Sequence, residues 1–389
     1  MTVKGKAYIV GAFEHPTRHA PDKSVTQLHA ECALGALRDA GLSLKDVDGY
    51  FCAGDAPGAT ALSMVEYLNL NLKWVDGSDL GGCSYMVHVR HAAHAIAAGK
   101  CSVALITLAG KPKSSGMATG TVPRALGPER PETPWDLPYR STITGVYGML
   151  ANRHMHEYGT TSAHLAAIKV AASTHAQYNE RAALRKVVTV DDVLSSPMIA
   201  SPLHRLDCCV ITDGGGAIIV TTAEIAKSLN RPRVKIIGTG ETINTSQGGY
   251  LNATVTGAAV SGKQAFAEAG VGIEGIKYAS IYDNFTIMVL MQIEDLGFCK
   301  KGQGGPFVAE GNLISGQGKL PFNTDGGGLC NNHPANRGGM TKLIEAVRQL
   351  RGEAHPAVQV KHCDIALATG PGYVLGVGHA HSTIILERE

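Results

Sequence analysis

The feature that most constrains this 389-residue chain is that it repeats itself. CSVALITLAG, starting at Cys101, returns as CDIALATGPG, starting at Cys363. Ahead of these, AYIVGAF from Ala7 is echoed by VKIIGTG from Val234. ALRDAGLSLKDVDGYFCA is echoed by AFAEAGVGIEGIKYASIYDNF, which ends at Phe285. The blocks keep the same order in both halves. Such a duplication brings equivalent strand ends and helix starts together across a pseudo-twofold, so chemistry is expected at that seam. The boundary is expected near Asn230–Pro232, giving residues 1–230, with a loop insertion at about 111–200, and residues 231–389.

Residues 7–13 read as a short buried strand, and Val47 to Ala53 as a second. Gln27 to Ala40 has helical apolar spacing and stops at Gly41. Met86 to Ala98 is small and apolar almost all round, which implies a helix buried between layers. Further helices are expected over Thr144–Tyr158 and Ser162–Asn179. The alternation of strands and helices predicts a parallel, layered α/β architecture. Lys111 to Arg140 breaks the pattern. TVPRALGPERPETPWDLPYR is too proline-rich for regular structure, and long excursions of this kind are usually functional.

Bulk properties exclude several classes. A net charge of +2 without a Lys/Arg block argues against nucleic acid or an anionic membrane. No apolar run approaches a membrane span, and the N-terminus enters a strand pattern at once, without a signal-peptide pattern. The nine cysteines are scattered, with no Cys-x-x-Cys spacing, which points to a reduced cytoplasm and against disulfides or a zinc site. His88, His91 and His94 share a helix, but no carboxylate is expected to join them on a metal. Cys208 and Cys209 point to opposite faces of a strand. No metal and no tightly bound cofactor are expected.

Four segments carry candidate chemistry. In GGCSYM, Cys83 sits in a glycine turn ahead of the buried helix, where the helix dipole lowers a thiol pKa and favours the nucleophilic thiolate. Backbone N–H groups near Gly82 could serve an oxyanion. A buried space-filling cysteine is the plainer alternative. In GGGLCNNHPANRGG, His333 lies between glycine clusters just before a helix, as a general base would. By the duplication, this turn is the mate of the Cys83 turn, so the two are expected to face one another as an activated-nucleophile pair. In YDNF, Tyr282 can donate to an oxyanion or act as a weak acid, with Asp283 and Asn284 orienting neighbours. In ATGPGYVLGVGHAHS, a glycine-rich loop joining two strands, Gly370 or Gly372 could offer backbone N–H groups. Tyr373, His379 and His381 are possible proton-transfer groups there, although strand alternation can also make one histidine a plain sheet residue.

Together these residues resemble the thiolase superfamily, and most of all its sterol-carrier-protein-x or lipid-transfer-type branch. The resemblance covers nearly the whole chain. It rests on AHAIAAGKCSVALI, SPLHRLDCCVITDGGGA, YDNFT, and GGGLCNNHPANRGG with EAVRQLRGEA after it. It implies a five-layer αβαβα fold from two duplicated halves, a homodimeric core and acyl-coenzyme A substrates, with coenzyme A itself as substrate. It also implies a cysteine acyl-enzyme, a histidine activator in the His-Pro motif, and a second cysteine in a Cys-x-Gly loop. Some relatives pair with a small zinc-containing OB-fold subunit. They include steroid side-chain aldolases and a thiolase for benzoylsuccinyl-CoA. This chain departs in three places. The usual nucleophile position falls on Gly82, with Cys83 one residue late; the Cys-x-Gly loop reads Gly370-Pro371-Gly372; and Tyr282 replaces the expected Asn or His.

Three functions follow. The first is a thiolase for a bulky β-ketoacyl-CoA, using Cys83 as nucleophile, His333 as activator and Tyr282 for proton handling. The second is a retro-aldolase that splits a β-hydroxyacyl-CoA without a covalent intermediate. The third is an acyl-CoA-binding subunit that needs an OB-fold partner to act.

Overall fold

The computed structural model describes residues 2–120, 142–244, 252–334, 338–372 and 380–389. Eleven strands occur among them: β1 (Ala7–Glu14), β2 (Gly49–Phe51), β3 (Trp74–Asp76), β4 (Val103–Gly110), β5 (Met198–Ala200), β6 (Leu203–His204), β7 (Gly214–Thr222), β8 (Val234–Ile243), β9 (Tyr278–Ile281), β10 (Ile365–Gly372) and β11 (Ala380–Arg388). Nine of these form one sheet in the order β3-β2-β4-β7-β1-β8-β11-β10-β9, while β5 and β6 pair separately.

The sheet is mixed, which corrects the expectation of parallel strands. β2 runs parallel to β4, which is antiparallel to β7, which is antiparallel to β1. On the other side β9 runs parallel to β10, which is antiparallel to β11, which is antiparallel to β8. For β10 and β11 the reason is connection length. A parallel return needs a crossover of a dozen or more residues, and the span from Gly372 to Ala380 is shorter than that. The two runs meet through only two residue pairs, Tyr8 with Lys235 and Ile9 with Val234.

The sequence signals produce the helices for identifiable reasons. Ser24 caps the helix Val25–Ala40 by accepting the Gln27 N–H at 3.0 Å, and Gly41 ends it at φ 73°. The all-round apolar helix is Ser84–Ala97. With the helix Gly339–Arg351 it fills the inner layer. Met86, Val89 and Ala93 share one core cluster with Met340, Leu343 and Val347, and with Ile106, Ile218, Ala368 and Ile384 from the strands. Alternate strand residues face outward. Leu105 and Ile219 pack with the Val25 helix, and Ile237, Leu367 and Ile385 with the helix Ala258–Ala269. Two further helices, Ile143–Tyr158 and Ser162–Ala176, lie within the insertion and pack with the helix Thr286–Leu296. Among the described residues no helix is long and apolar enough to cross a membrane. All nine cysteines are free thiols.

Candidate active site

β9 delivers Tyr282 at its exit. The Tyr282 N–H donates to Thr369 O at 2.9 Å, and its carbonyl accepts the Gln292 side-chain amide at 2.9 Å. With the backbone clamped on both sides, the phenol is aimed at the His333 turn. Its oxygen lies 2.8 Å from His333 Nε2 and accepts the Gly338 N–H at 3.2 Å. The rings meet edge to face, with centroids 5.6 Å apart. Both side chains are nearly buried, at 3% and 6% exposure.

Burial sets the protonation of this pair. It raises the Tyr282 phenol well above its ordinary value, helped by Cys209, so the hydroxyl keeps its proton at neutral pH. It lowers His333 to about 4; Asp283 pulls the value up and Lys342 pushes it down. His333 is therefore a neutral imidazole at neutral pH. Its Nδ1 is buried with no hydrogen-bond partner among the described residues. When the phenol donates to Nε2, its oxygen still accepts the Gly338 N–H, so a proton can pass along the pair without breaking that anchor.

A polar network holds the His333 turn. The His333 N–H donates to Thr212 Oγ1 at 2.9 Å, and that hydroxyl donates to Asn332 Oδ1 at 2.7 Å. Asn331 and Asn332 side-chain amides donate to Glu14 at 3.1 and 2.9 Å, and Arg18 donates to Glu14 at 2.7 Å. Burial alone would raise the Glu14 carboxyl, but Arg18 and Arg348 outweigh it and hold it at about 2. Asp283 accepts the Gly328 and Leu329 N–H groups at 2.8 and 3.1 Å, fixing the short turn ahead of His333.

The Cys83 turn does face the His333 turn, but it presents glycine rather than cysteine. A Cβ on Gly82 would stand 3.0 Å from Tyr282 Cζ, 3.2 Å from its hydroxyl and 2.5 Å from Pro371 O. The Gly82 carbonyl in turn sits 2.4 Å from where a Cβ on Gly339 would lie. Cys83 points elsewhere. It is fully buried with Leu80, Val87 and Ala380, and its sulfur contacts the Leu80 carbonyl at 3.5 Å. No hydrogen bond joins Cys83 to His333 among the described residues. The expected lowering of the thiol pKa is also reversed: burial, with Glu241 next, pushes it well up. Desolvation of a sealed thiolate outweighs the helix dipole here.

The last segment departs from expectation as well. Gly370 and Gly372 lie in β10, paired in register with Ser382 and Ala380, and not in an open loop. Gly370 packs on the Tyr282 Cβ, and Gly372 on the Leu80 carbonyl and the Cys83 sulfur. His381 is fully buried behind the site. Its Nδ1 meets Ser261 Oγ at 2.9 Å and its Nε2 meets Gln292 Oε1 at 3.3 Å, so both ring nitrogens serve the frame. Burial lowers it to about 3. Tyr373 and His379 lie outside the described residues, as does most of the Lys111–Arg140 excursion.

Sequence reasoning missed Thr212, Glu14, Gln292, Gly338 and Lys342; Gln292 lies ten residues from Tyr282, and the others are remote in sequence from the partners they hold. It also misjudged His91. Asp76 and Glu241 do flank this histidine, at 2.6 and 3.2 Å, and their hydrogen bonds raise it to about 9. At neutral pH the imidazole is protonated and pairs with both carboxylates. Among the described residues no cluster of three His, Cys, Asp or Glu groups is arranged for a metal.

A largely apolar groove of about 500 Å³ is lined by Met117, Leu184, Pro197 and Val210, with Lys113 and Arg205 as its charged residues, and it joins the segment before His333 through the Val210 N–H, which donates to the Gly328 carbonyl at 2.9 Å. Its Cys208 bridges to Phe285 in the YDNF segment.

Comparison with known proteins identifies the family. A family model described as "Thiolase C-terminal domain-like" matches residues 241–388. The chain is 34% identical over 391 residues to a 17-hydroxy-3-oxo-4-pregnene-20-carboxyl-CoA lyase of Mycobacterium tuberculosis, covering 96% of this chain and 100% of the relative. Among solved structures, an Ltp2-ChsH2(DUF35) aldolase superposes with a TM-score of 0.88 at 31% identity, covering 99% of this chain and 98% of that one. Human mitochondrial 3-ketoacyl-CoA thiolase shares the fold, with a TM-score of 0.72 at 13% identity over the whole of both chains. The chain belongs to the thiolase superfamily, in its sterol-carrier-protein-x or lipid-transfer-type branch.

Proposed function

We propose that this enzyme cleaves the Cα–Cβ bond of a bulky β-hydroxyacyl-CoA by a retro-aldol reaction, with no covalent intermediate. The observation that carries the reading is the Tyr282–His333 hydrogen bond, set against a turn whose Gly82 offers no nucleophile. The substrate hydroxyl gives its proton to the Tyr282 oxygen as the Tyr282 proton moves to His333 Nε2. The Cα–Cβ electrons then form the thioester enolate, and the β-carbon leaves as a ketone or aldehyde. The proton held on His333 then returns through Tyr282 to Cα of the enolate, which gives the shortened acyl-CoA and restores the dyad. We assign the enolate oxygen to backbone N–H groups of the Gly82 turn at the head of the Ser84 helix. Gly370 and Gly372 give that turn and Tyr282 room to approach.

The thiolytic alternative needs Cys83 as a thiolate within reach of His333. The buried thiol and its Leu80 contact give it no support. Similarity to the 17-hydroxy-3-oxo-4-pregnene-20-carboxyl-CoA lyase supports cleavage of a hydroxylated steroid-type side chain, and the apolar groove suits a large acyl group. The Ltp2-ChsH2(DUF35) aldolase named above supports a DUF35 partner, which we read as a small zinc-containing OB-fold subunit. A homodimeric core in the cytoplasm completes the reading. We also read the chain as two halves, 1–230 and 231–389, a division supported by the equal order of strand senses on the two sides of the β1–β8 junction.

Product analysis tests the proposal. The purified chain, alone and with a DUF35 partner, is incubated with a β-hydroxyacyl-CoA, and products are separated by mass. One ketone or aldehyde plus one shortened acyl-CoA is expected, with no need for free coenzyme A. Coenzyme A-dependent formation of two acyl-CoAs from a β-ketoacyl-CoA, with an acyl adduct on Cys83, would overturn it.

A further inference from the structure

Lys342 stands in the first turn of the Gly339 helix, the element whose leading Gly338 N–H anchors the Tyr282 hydroxyl. Its side chain is 2% exposed, and its Nζ lies 2.7 Å from Asp283 Oδ1, itself fully buried. Among the described residues no acceptor is aligned with its N–H bonds. An ammonium held in the interior with so little hydrogen bonding is costly, and a neutral residue of similar shape would fill the space more cheaply. Asp283 has its own duties. It follows Tyr282 in the chain and accepts the Gly328 and Leu329 N–H groups of the turn that leads to His333. The two charges flank the dyad from two elements, Asp283 from the exit of β9 and Lys342 from the Gly339 helix. Both act on the imidazole, in opposite senses. Two further titratable groups, Cys209 and Tyr147, act on the phenol, and both raise it.

We propose that Lys342 is a positioning residue of the reaction: paired with Asp283 beneath the site, its fixed positive charge sets the proton affinity of the Tyr282–His333 dyad. This rests on the dyad being the proton-handling unit of the proposed cleavage. Burial keeps the resting imidazole unprotonated, and the cation adds to this by offsetting part of the opposing pull of Asp283, so the ring is ready to receive the proton that arrives through Tyr282. The carboxylate limits that effect and holds the turn in place. Opposed charges of this kind tune a site without touching the substrate.

The test is the titration of His333 in the full-length resting protein, by NMR of histidine carbon-13 label, with H333Q identifying the signal. Lys342→Met removes a cation, so the midpoint should rise by roughly half a pH unit or more. Asp283→Asn removes an anion, so the midpoint should fall. The acid limb of cleavage should move with each midpoint, while KM for the acyl-CoA stays within about twofold. If a single variant fails to fold, the other still reports a sign. The charge-free double variant, D283N with K342M, should return toward the wild-type midpoint. Folded variants with unmoved midpoints would reduce Lys342 to a packing role and overturn the proposal. The titration uses no substrate. Shifted midpoints without any cleavage would therefore refute the retro-aldol reading and leave the charge coupling standing.

Discussion

The phenolic oxygen of Tyr282 lies 2.8 Å from Nε2 of His333, and the same oxygen accepts the Gly338 N–H. These bonds join the exit of one strand to the turn that precedes a central helix. Removing the hydroxyl isolates its chemistry from its packing. Tyr282→Phe should lower kcat by about 10²–10⁴-fold. The hydrogen bonds lost should cost on the order of 1–3 kcal/mol of stability, leaving the fold intact. Steady-state kinetics beside a thermal melt checks both. A folded variant with full activity would remove Tyr282 from the reaction.

Cys83→Ala should stay active, because its sulfur is sealed against Leu80, Val87 and Ala380. Some stability should be lost through the small cavity, on the order of 1 kcal/mol. Intact mass after incubation with acyl-CoA should show no adduct on the wild-type chain. An adduct at this residue, or an inactive folded variant, would restore the thiolytic mechanism.

Gly82→Cys places a thiol at the position where this superfamily carries its nucleophile. It should not create a thiolase. The new Cβ would lie 2.5 Å from Pro371 O and 3.0 Å from Tyr282 Cζ, so the turn must shift and the phenol must leave His333. Loss of retro-aldol activity and about 1–3 kcal/mol of stability are expected from the overpacking. A stable variant that gains coenzyme A-dependent cleavage would contradict this account of the turn.

The pH profile follows from the buried imidazole. His333 is lowered from 6.5 to about 4 in the folded protein. Cleavage needs it neutral, so kcat/KM should climb through about pH 4 and be flat near neutrality on that limb. The same shift enters stability. Between about pH 6.5 and 4 the unfolded chain binds a proton that the folded chain refuses, so His333 withdraws stability as pH falls through that window. Comparing wild type with His333→Gln by denaturant melts at pH 5 and pH 7 measures it. The variant should lose less stability on acidification.

Glu345 predicts the opposite trend. Burial, reinforced by Asp325, raises its carboxyl from 4.5 to about 7, while Thr324 and Arg348 hold its oxygens at 2.6 and 3.1 Å. As pH rises from about 4.5 to 7 the unfolded chain releases a proton that the folded chain keeps, which costs stability. Glu345→Gln should therefore gain in melting temperature relative to wild type at pH 8 compared with pH 5. An equal difference at both values would show that Glu345 titrates normally.

Much of the framework was legible because its signals are local. The Gly41 stop, the all-apolar run before Gly99 and the β-branched run from Ala7 each act within a few residues of themselves. The expected parallel sheet failed because strand sense depends on where a returning strand finds a free edge. The site was half legible. His333 and Tyr282 stood out by residue type and by glycine context. Their partnership did not, since Tyr282 and His333 are joined only after β9 and the Gly339 helix pack together. Glu14, Thr212 and Gln292 gave no local signal at all.

The sequence by itself determined the duplication, the positions of most elements and the two turns that meet at the centre. Only the tertiary structure decided which side chains meet there. In a tight helical turn each residue rotates the side-chain direction by about a third of a circle. The single step from Gly82 to Cys83 therefore turns the thiol away into the core and leaves Tyr282 beside a bare glycine. Pattern along a chain records spacing, but the direction of a Cβ and the water left around it exist only once the layers have closed.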